Sequence, residues 1–231
     1  MARYDISRAW FKTPNGRAAV MHIREGTNDW NTAQGAMNED EYGLRGRKLS
    51  GLALDIGAHF GAVAIGMLLD NPDLLVEAVE PLPENIDLLI KNADINGVTS
   101  RLTIHEAAAG DGAPIVIRYA YEDNENDLHH AYIGNSGLVA DTTRAHREAR
   151  VPTLTPFSWD GASFVKIDCE GGEWPFFAAG GMVPDLYPEI VGEWHNVEGH
   201  KRAELAPLLA GYDLTFTGPV DGPGGFRAVA K

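Results

Sequence analysis

Two apolar runs, each ending in an acidic residue, organise the middle of this chain. Leu52-Ala53-Leu54-Asp55-Ile56 leads into the turn Gly57-Ala58-His59-Phe60-Gly61. A helical pattern follows over 62–69, stopped by Asn71-Pro72. Residues 74–79 form the second run, which ends at Glu80-Pro81. Pro83 opens a helix in which Ile86, Leu89, Ile90 and Ala93 recur at i, i+3, i+4 and i+7, predicting a buried stripe, and Asn96-Gly97 supplies its stop. Residues 102–107 read as a third strand. Strand and helix patterns in alternation predict an α/β fold around a mostly parallel sheet.

Further on, 113–120 reads as an extra strand and 121–150 as a long polar stretch, with Asn124, Asn126, His129, His130 and Asn135. Loops of that length in a compact domain are commonly functional or disordered. Then come a short strand at 151–154, a core strand at 163–169, a short helix at 173–179 interrupted by Pro175, and a strand at 189–194. A helix at 203–209 and two closing strands at 212–217 and 225–230 complete the chain. Upstream, 18–23 has strand character and 28–46 reads as a loop with a short helix. The expected organisation is a lead-in and lid over 1–50, then one globular unit over 51–231.

The turn after the first strand bears on the ligand. A dinucleotide site wants Gly-x-Gly-x-x-Gly, so that helix amides face a pyrophosphate. Here the pattern is Asp-x-Gly-x-x-x-Gly, with His59 where a second glycine would stand and Asp55 where it would repel a pyrophosphate. A nucleoside cofactor with an ammonium group and no phosphate suits this turn better, and S-adenosylmethionine is such a ligand. Glu80, at the tip of the next strand, is placed to take two ribose hydroxyls.

The segment Phe164-Val165-Lys166-Ile167-Asp168-Cys169-Glu170-Gly171 carries the second concentration of chemistry. On a strand, Lys166, Asp168 and Glu170 share a face, near the end of the sheet where α/β folds hold ligands. The competing reading is a structural Lys166–Asp168 pair with Glu170 capping the next helix. In the following strand Glu193 and His195 share a face, and His195 suits a general base. Asp168, Glu193 and His195 are also metal-ligating residue types, but their spacing carries no ligand signature, and no metal is expected.

Charge narrows the partners. The net charge of −14 lacks the basic balance typical of nucleic-acid binders. Cys169 is the one cysteine; inside an apolar run it reads as a small buried hydrophobe rather than a nucleophile. Met1-Ala2-Arg3-Tyr4-Asp5 has no apolar leader core and no run is long enough to span a bilayer. A cytoplasmic protein is expected, with its oligomeric state left open.

In order along the chain, Asp55-Ile-Gly-Ala-His-Phe-Gly61, Glu80-Pro81, Ala107-Ala-Ala-Gly-Asp111, Lys166-Ile-Asp-Cys-Glu-Gly171 and Glu193-Trp-His195 resemble the FkbM-type family of S-adenosylmethionine-dependent methyltransferases, over about residues 25–231. Thr27-Asn28-Asp29-Trp30 and Glu41-Tyr42 resemble its lead-in segments. His59 departs from the asparagine often found there. The resemblance implies a class I methyltransferase, Rossmann-like fold, with a seven-stranded sheet whose last strand is antiparallel. It implies that Asp55, Gly57, His59 and Gly61 form the turn at the methionine end of the cofactor, and that Glu80-Pro81 holds the ribose. Glu106 and Ala107 would lie beside the adenine, Asp168 near the amino group and sulfonium, and Glu41 and Tyr42 would close over the cofactor. The acceptor expected is a hydroxylated small molecule, such as a sugar. Its base would be His195 or Glu170, with Lys166 orienting Asp168. The alternatives are methylation of a nucleic-acid ribose or a protein, and a cofactor-binding or partner-binding module without catalysis.

Overall fold

The computed structural model describes residues 5–120, 132–133, 146–197, 199–219 and 222–231. The chain opens with the hairpin β1 (Ile6–Lys12) and β2 (Ala18–Arg24), then α1 (Asp29–Ala33), which continues as a π-helical stretch over Gln34–Glu39. The core alternates as expected: β3 (Gly51–Ile56), α2 (Ala62–Asp70), β4 (Leu74–Glu80), α3 (Pro83–Ile95) and β5 (Leu102–Glu106). Short β6 (Ala108–Ala109) follows, then β7 (Ile115–Ala120), β8 (Tyr132–Ile133), β9 (His146–Val151) and β10 (Thr153–Leu154). The chain returns to the core through β11 (Phe164–Ile167), α4 (Glu173–Ala178), β12 (Glu189–Trp194), α5 (Leu205–Leu208), β13 (Tyr212–Phe216) and β14 (Gly224–Ala230).

Seven strands form the main sheet in the order β13-β14-β12-β11-β3-β4-β5. All run parallel except the last, β14, which lies antiparallel between β12 and β13. β3 and β11 are neighbours at the centre. The order reverses beside them, so a crevice opens at their carboxyl ends, the position where such sheets bind ligands. β7, β8 and β9 make a separate three-stranded sheet, and β6 pairs with β10. The β1–β2 hairpin lays Phe11, Ala19, Met21 and Ile23 into one core with α2 and the central strands. Among the described residues no helix is long and apolar enough to cross a membrane.

Three local expectations change. The buried face of α3 is Asn85, Leu88, Leu89, Asn92 and Ala93; Ile86 is half-buried and Ile90 is 48% exposed. Asn92 is buried because it is fully used: its Oδ1 accepts from His22 N at 2.6 Å and its Nδ2 donates to the Phe60 carbonyl at 3.1 Å. α4 runs unbroken through Pro175, which lies in its first turn, where a missing N–H costs nothing. β11 stops at Ile167, so Asp168 and Glu170 sit on the loop beyond it, and Glu170 takes a left-handed backbone (φ +54°). Asn124, Asn126, His129, His130 and Asn135 lie outside the described residues.

Candidate active site

At the centre of the sheet the site rests on a buried ion pair. Lys166 and Asp55 are register partners on β11 and β3, and both are buried. Lys166 Nζ stands 3.2 Å from Asp55 Oδ1 and donates to the Gly57 carbonyl at 2.8 Å. No well-aligned hydrogen bond reaches either Asp55 oxygen; the ion pair compensates its burial. Burial alone would lower the Lys166 pKa, but Asp55 and Asp168 reverse this and raise it. Lys166 is therefore a fixed cation and not a base, and its partner is Asp55 rather than Asp168.

Above this pair the chain turns at Gly57 (φ +78°), where a Cβ would lie 1.8 Å from the Asp168 carbonyl oxygen. Only glycine allows the β3 and β11 ends to close this tightly. Two residues on, His59 also has a left-handed backbone (φ +52°), and its amide donates to Glu80 Oε2 at 2.9 Å. Glu80 Oε1 accepts from Leu82 N and Asn85 Nδ2, each at 3.0 Å. Burial raises the Glu80 pKa against these hydrogen bonds.

Glu80 is in turn tied to the lead-in. Arg24 grips Asp29 through Nε (2.8 Å) and Nη2 (2.9 Å), and its Nη1 donates to Asn85 Oδ1 at 2.8 Å. Arg24 Nη2 lies 3.0 Å from His59 Nε2. Guanidinium only donates, so this nitrogen accepts and the His59 ring carries its proton on Nδ1. His59 thus joins a network of the buried residues Arg24, Asp29, Asn85 and Glu80.

At the other end of the cleft, acids gather around His195. Its Nδ1 is 3.1 Å from Glu173 Oε1, and its Nε2 lies 3.5 Å from Glu170 Oε2, 3.8 Å from Asp168 Oδ1 and 4.0 Å from Glu193 Oε2. Glu173 is fully buried and also accepts from the backbone amides of Gly171 (2.9 Å) and His195 (2.6 Å). Burial opposes charge on His195, but Glu173, Glu170 and Asp168 outweigh it and raise the pKa to about 10. The carboxylates around it thus favour the protonated form of His195. Burial, with Asp168 and Glu41 nearby, lifts Glu193 to about 7. Tyr42 donates to Asp168 Oδ2 at 2.8 Å, joining the lead-in to the β11 loop. Cys169 is held as the thiol by burial and by Glu173 and Asp168.

The cleft between these two ends has a volume of about 110 Å³ and opens in part to solvent. Glu41, Tyr42, Gly57 and His59 line it, together with Glu80, Pro81 and Ala107 and, from β11 and its loop, Lys166, Asp168 and Glu170. Asp55, Gly61, Glu106 and His195 do not. Asp55 is spent beneath the floor on Lys166. Gly61 starts α2 with φ +92°, and a Cβ there would meet Leu89 Cδ1 at 2.1 Å, so it serves the packing of α2 on α3. Glu106 is exposed; adjacent residues of an extended chain face opposite ways, and Ala107 is the one turned inward. Sequence reasoning missed Arg24, Asn85 and Glu173. For Glu173 the available signal was an acid directly after Gly171-Gly172 at a helix start.

The sheet order and its reversed last strand define a class I methyltransferase fold. Over residues 55–212 the sequence matches the methyltransferase FkbM domain, and the chain belongs to that family of S-adenosylmethionine-dependent methyltransferases. Among solved structures, a conserved hypothetical protein of Streptococcus pyogenes is similar with a TM-score of 0.50 at 12% identity, covering 84% of this chain and 94% of that one. A precorrin-6Y C5,15-methyltransferase from Geobacter metallireducens GS-15 gives 0.48 at 13% identity, over 80% of this chain and 83% of that one. Magnesium protoporphyrin IX methyltransferase from Synechocystis PCC 6803, solved with its cofactor bound, gives 0.47 at 9% identity, over 87% and 77%. At such identities the likeness is one of fold alone. No curated protein matches the sequence.

Proposed function

We propose that the chain methylates a hydroxyl group on a small-molecule acceptor, with a sugar the leading class. The carrying observation is the cluster of Asp168, Glu170, Glu193 and His195, half-buried at the carboxyl end of the sheet and adjoining the cleft that Asp168 and Glu170 line. A polyanionic acceptor would be repelled by these acids and by the net charge of −14.

The residues present fit S-adenosylmethionine. Gly57 lets the backbone approach, Glu80 offers a carboxylate at the tip of the second core strand for two ribose hydroxyls, and Ala107 and Pro81 supply apolar walls. Asp168 stands where an ammonium or sulfonium would gain from a carboxylate. When bound, the cofactor supplies an activated methyl on a sulfonium.

The protein's part is positional: to hold an acceptor oxygen in line with that methyl and to exclude water. The proton of the acceptor hydroxyl would pass to a carboxylate of the cluster, with Glu170 the candidate that also lines the cleft. His195 Nε2 stands 3.5 Å from Glu170 and 3.8 Å from Asp168 and helps to hold both carboxylates in place. The test is transfer of labelled methyl to a panel of sugars, hydroxylated metabolites, RNA and proteins. Label entering hydroxyls of small acceptors supports the reading. Label entering only RNA or protein, with salt-sensitive binding, contradicts it, and cofactor binding without turnover on any acceptor favours a non-catalytic module.

A further inference from the structure

We propose that Asp168, Glu193 and His195 form a divalent-cation site at the acceptor end of the cleft, an inference that rests on the methyl-transfer reading and deepens it. One ligand atom from each of the three lies within 4.8 Å of the others. His195 Nε2 is 3.8 Å from Asp168 Oδ1 and 4.0 Å from Glu193 Oε2. Metal–ligand bonds of about 2.1 Å hold neighbouring donor atoms roughly 3–3.5 Å apart. Side-chain shifts of under about 1 Å would therefore close the three around one ion.

The surroundings are those of a ligating histidine. Such a histidine turns its second nitrogen to a carboxylate that fixes ring orientation. Here Nδ1 faces Glu173, which is fully buried and pinned by two backbone amides. Tyr42 engages Asp168 Oδ2 and so turns Oδ1 toward His195 Nε2.

Charge points the same way. The carboxylates of Asp168, Glu170 and Glu193 converge on Nε2, while Lys166 is committed to Asp55 and the Gly57 carbonyl. A divalent ion placed among these carboxylates would balance their charge. Two carboxylates and one imidazole suit Mg²⁺, Mn²⁺ or Fe²⁺ better than a thiolate-seeking metal. Held there, an ion would take the acceptor oxygen as a further ligand, orient it and ease loss of its proton.

The probe is Mn²⁺, followed by electron paramagnetic resonance on chelator-treated protein, with and without S-adenosylhomocysteine. The expected result is one Mn²⁺ per chain, competed by Mg²⁺, with affinity falling about tenfold or more in Glu193→Gln and His195→Ala. Removing His195 leaves Glu173 buried without its partner and endangers folding, so the near-isosteric Glu193→Gln keeps the test decisive. Wild-type protein that binds no Mn²⁺ at millimolar concentration, or a folded Glu193→Gln that binds it as well as wild type, overturns the site. Calorimetry of S-adenosylhomocysteine without metal reports separately on the cofactor: its failure would sink the methyl-transfer reading, whatever Mn²⁺ does.

Discussion

Glu80 has two jobs that substitutions can separate. It is 5% exposed and accepts hydrogen bonds from His59 N, Leu82 N and Asn85 Nδ2. In Glu80→Ala all three donors lose a charged acceptor. A hydrogen bond to a charged group contributes about 1.5–3 kcal/mol, but the adjoining cleft lets water reach part of the gap, so about 3 kcal/mol in total is expected. For a chain of this size that is a fall of roughly 6–12 °C in Tm. Glu80→Gln keeps the shape and one carbonyl acceptor, so its loss should be about 1 kcal/mol. Both variants remove the carboxylate offered to the ribose, and both should weaken S-adenosylhomocysteine binding by about 1.5–3 kcal/mol, roughly 10- to 150-fold. Thermal melting reads the first job and calorimetric titration the second. A Glu80→Gln protein that is folded and binds with wild-type affinity refutes the ribose assignment. A Glu80→Ala protein that melts with wild type refutes the claim that this carboxylate organises the turn.

Three further outcomes follow from the packing. Gly57→Ala should cost about 3 kcal/mol or more, because φ is +78° and the new Cβ meets the Asp168 carbonyl at 1.8 Å; an unchanged melting curve would contradict the close strand approach. Arg24→Ala leaves Asp29 buried without its guanidinium partner, for about 3 kcal/mol, and a fall in Tm under about 2 °C would refute the network. Glu189 is bridged by Arg47 (2.5 Å) and Arg227 (2.6 Å); burial opposes these partners, yet they lower its pKa below the ordinary 4.5. Its stabilisation is therefore present above pH 4.5 and lost as pH falls through the lowered value. Glu189→Gln should cost about 1 kcal/mol at pH 7, given the solvent around Arg227, and almost nothing near pH 2 by urea denaturation; an equal penalty at both contradicts the ion-pair origin.

The central strands were legible because each is a largely apolar run with an acid at or just beyond its carboxyl end, as in Asp55, Glu80 and Asp168. The same logic found the cleft. It failed on α3, where counting apolar positions chose Ile86 and Ile90 over Asn85 and Asn92. Those asparagines are inside because Arg24, Glu80, His22 and the Phe60 carbonyl satisfy them, partners distant in sequence that no local period reveals. The charge on His195 was hidden for the same reason: it is set chiefly by Glu173, 22 residues away. Asp55 is a converse case: its place in the glycine motif gave no sign of the strand register that pairs it with Lys166.

The most direct measurement is a crystal structure grown with S-adenosylhomocysteine. The expected map places both ribose hydroxyls within hydrogen-bond distance of Glu80 and the sulfur toward Asp168 and Glu170. A ligand with its ribose away from Glu80, or its sulfur turned from the His195 cluster, would contradict the assignment of the two ends of this cleft.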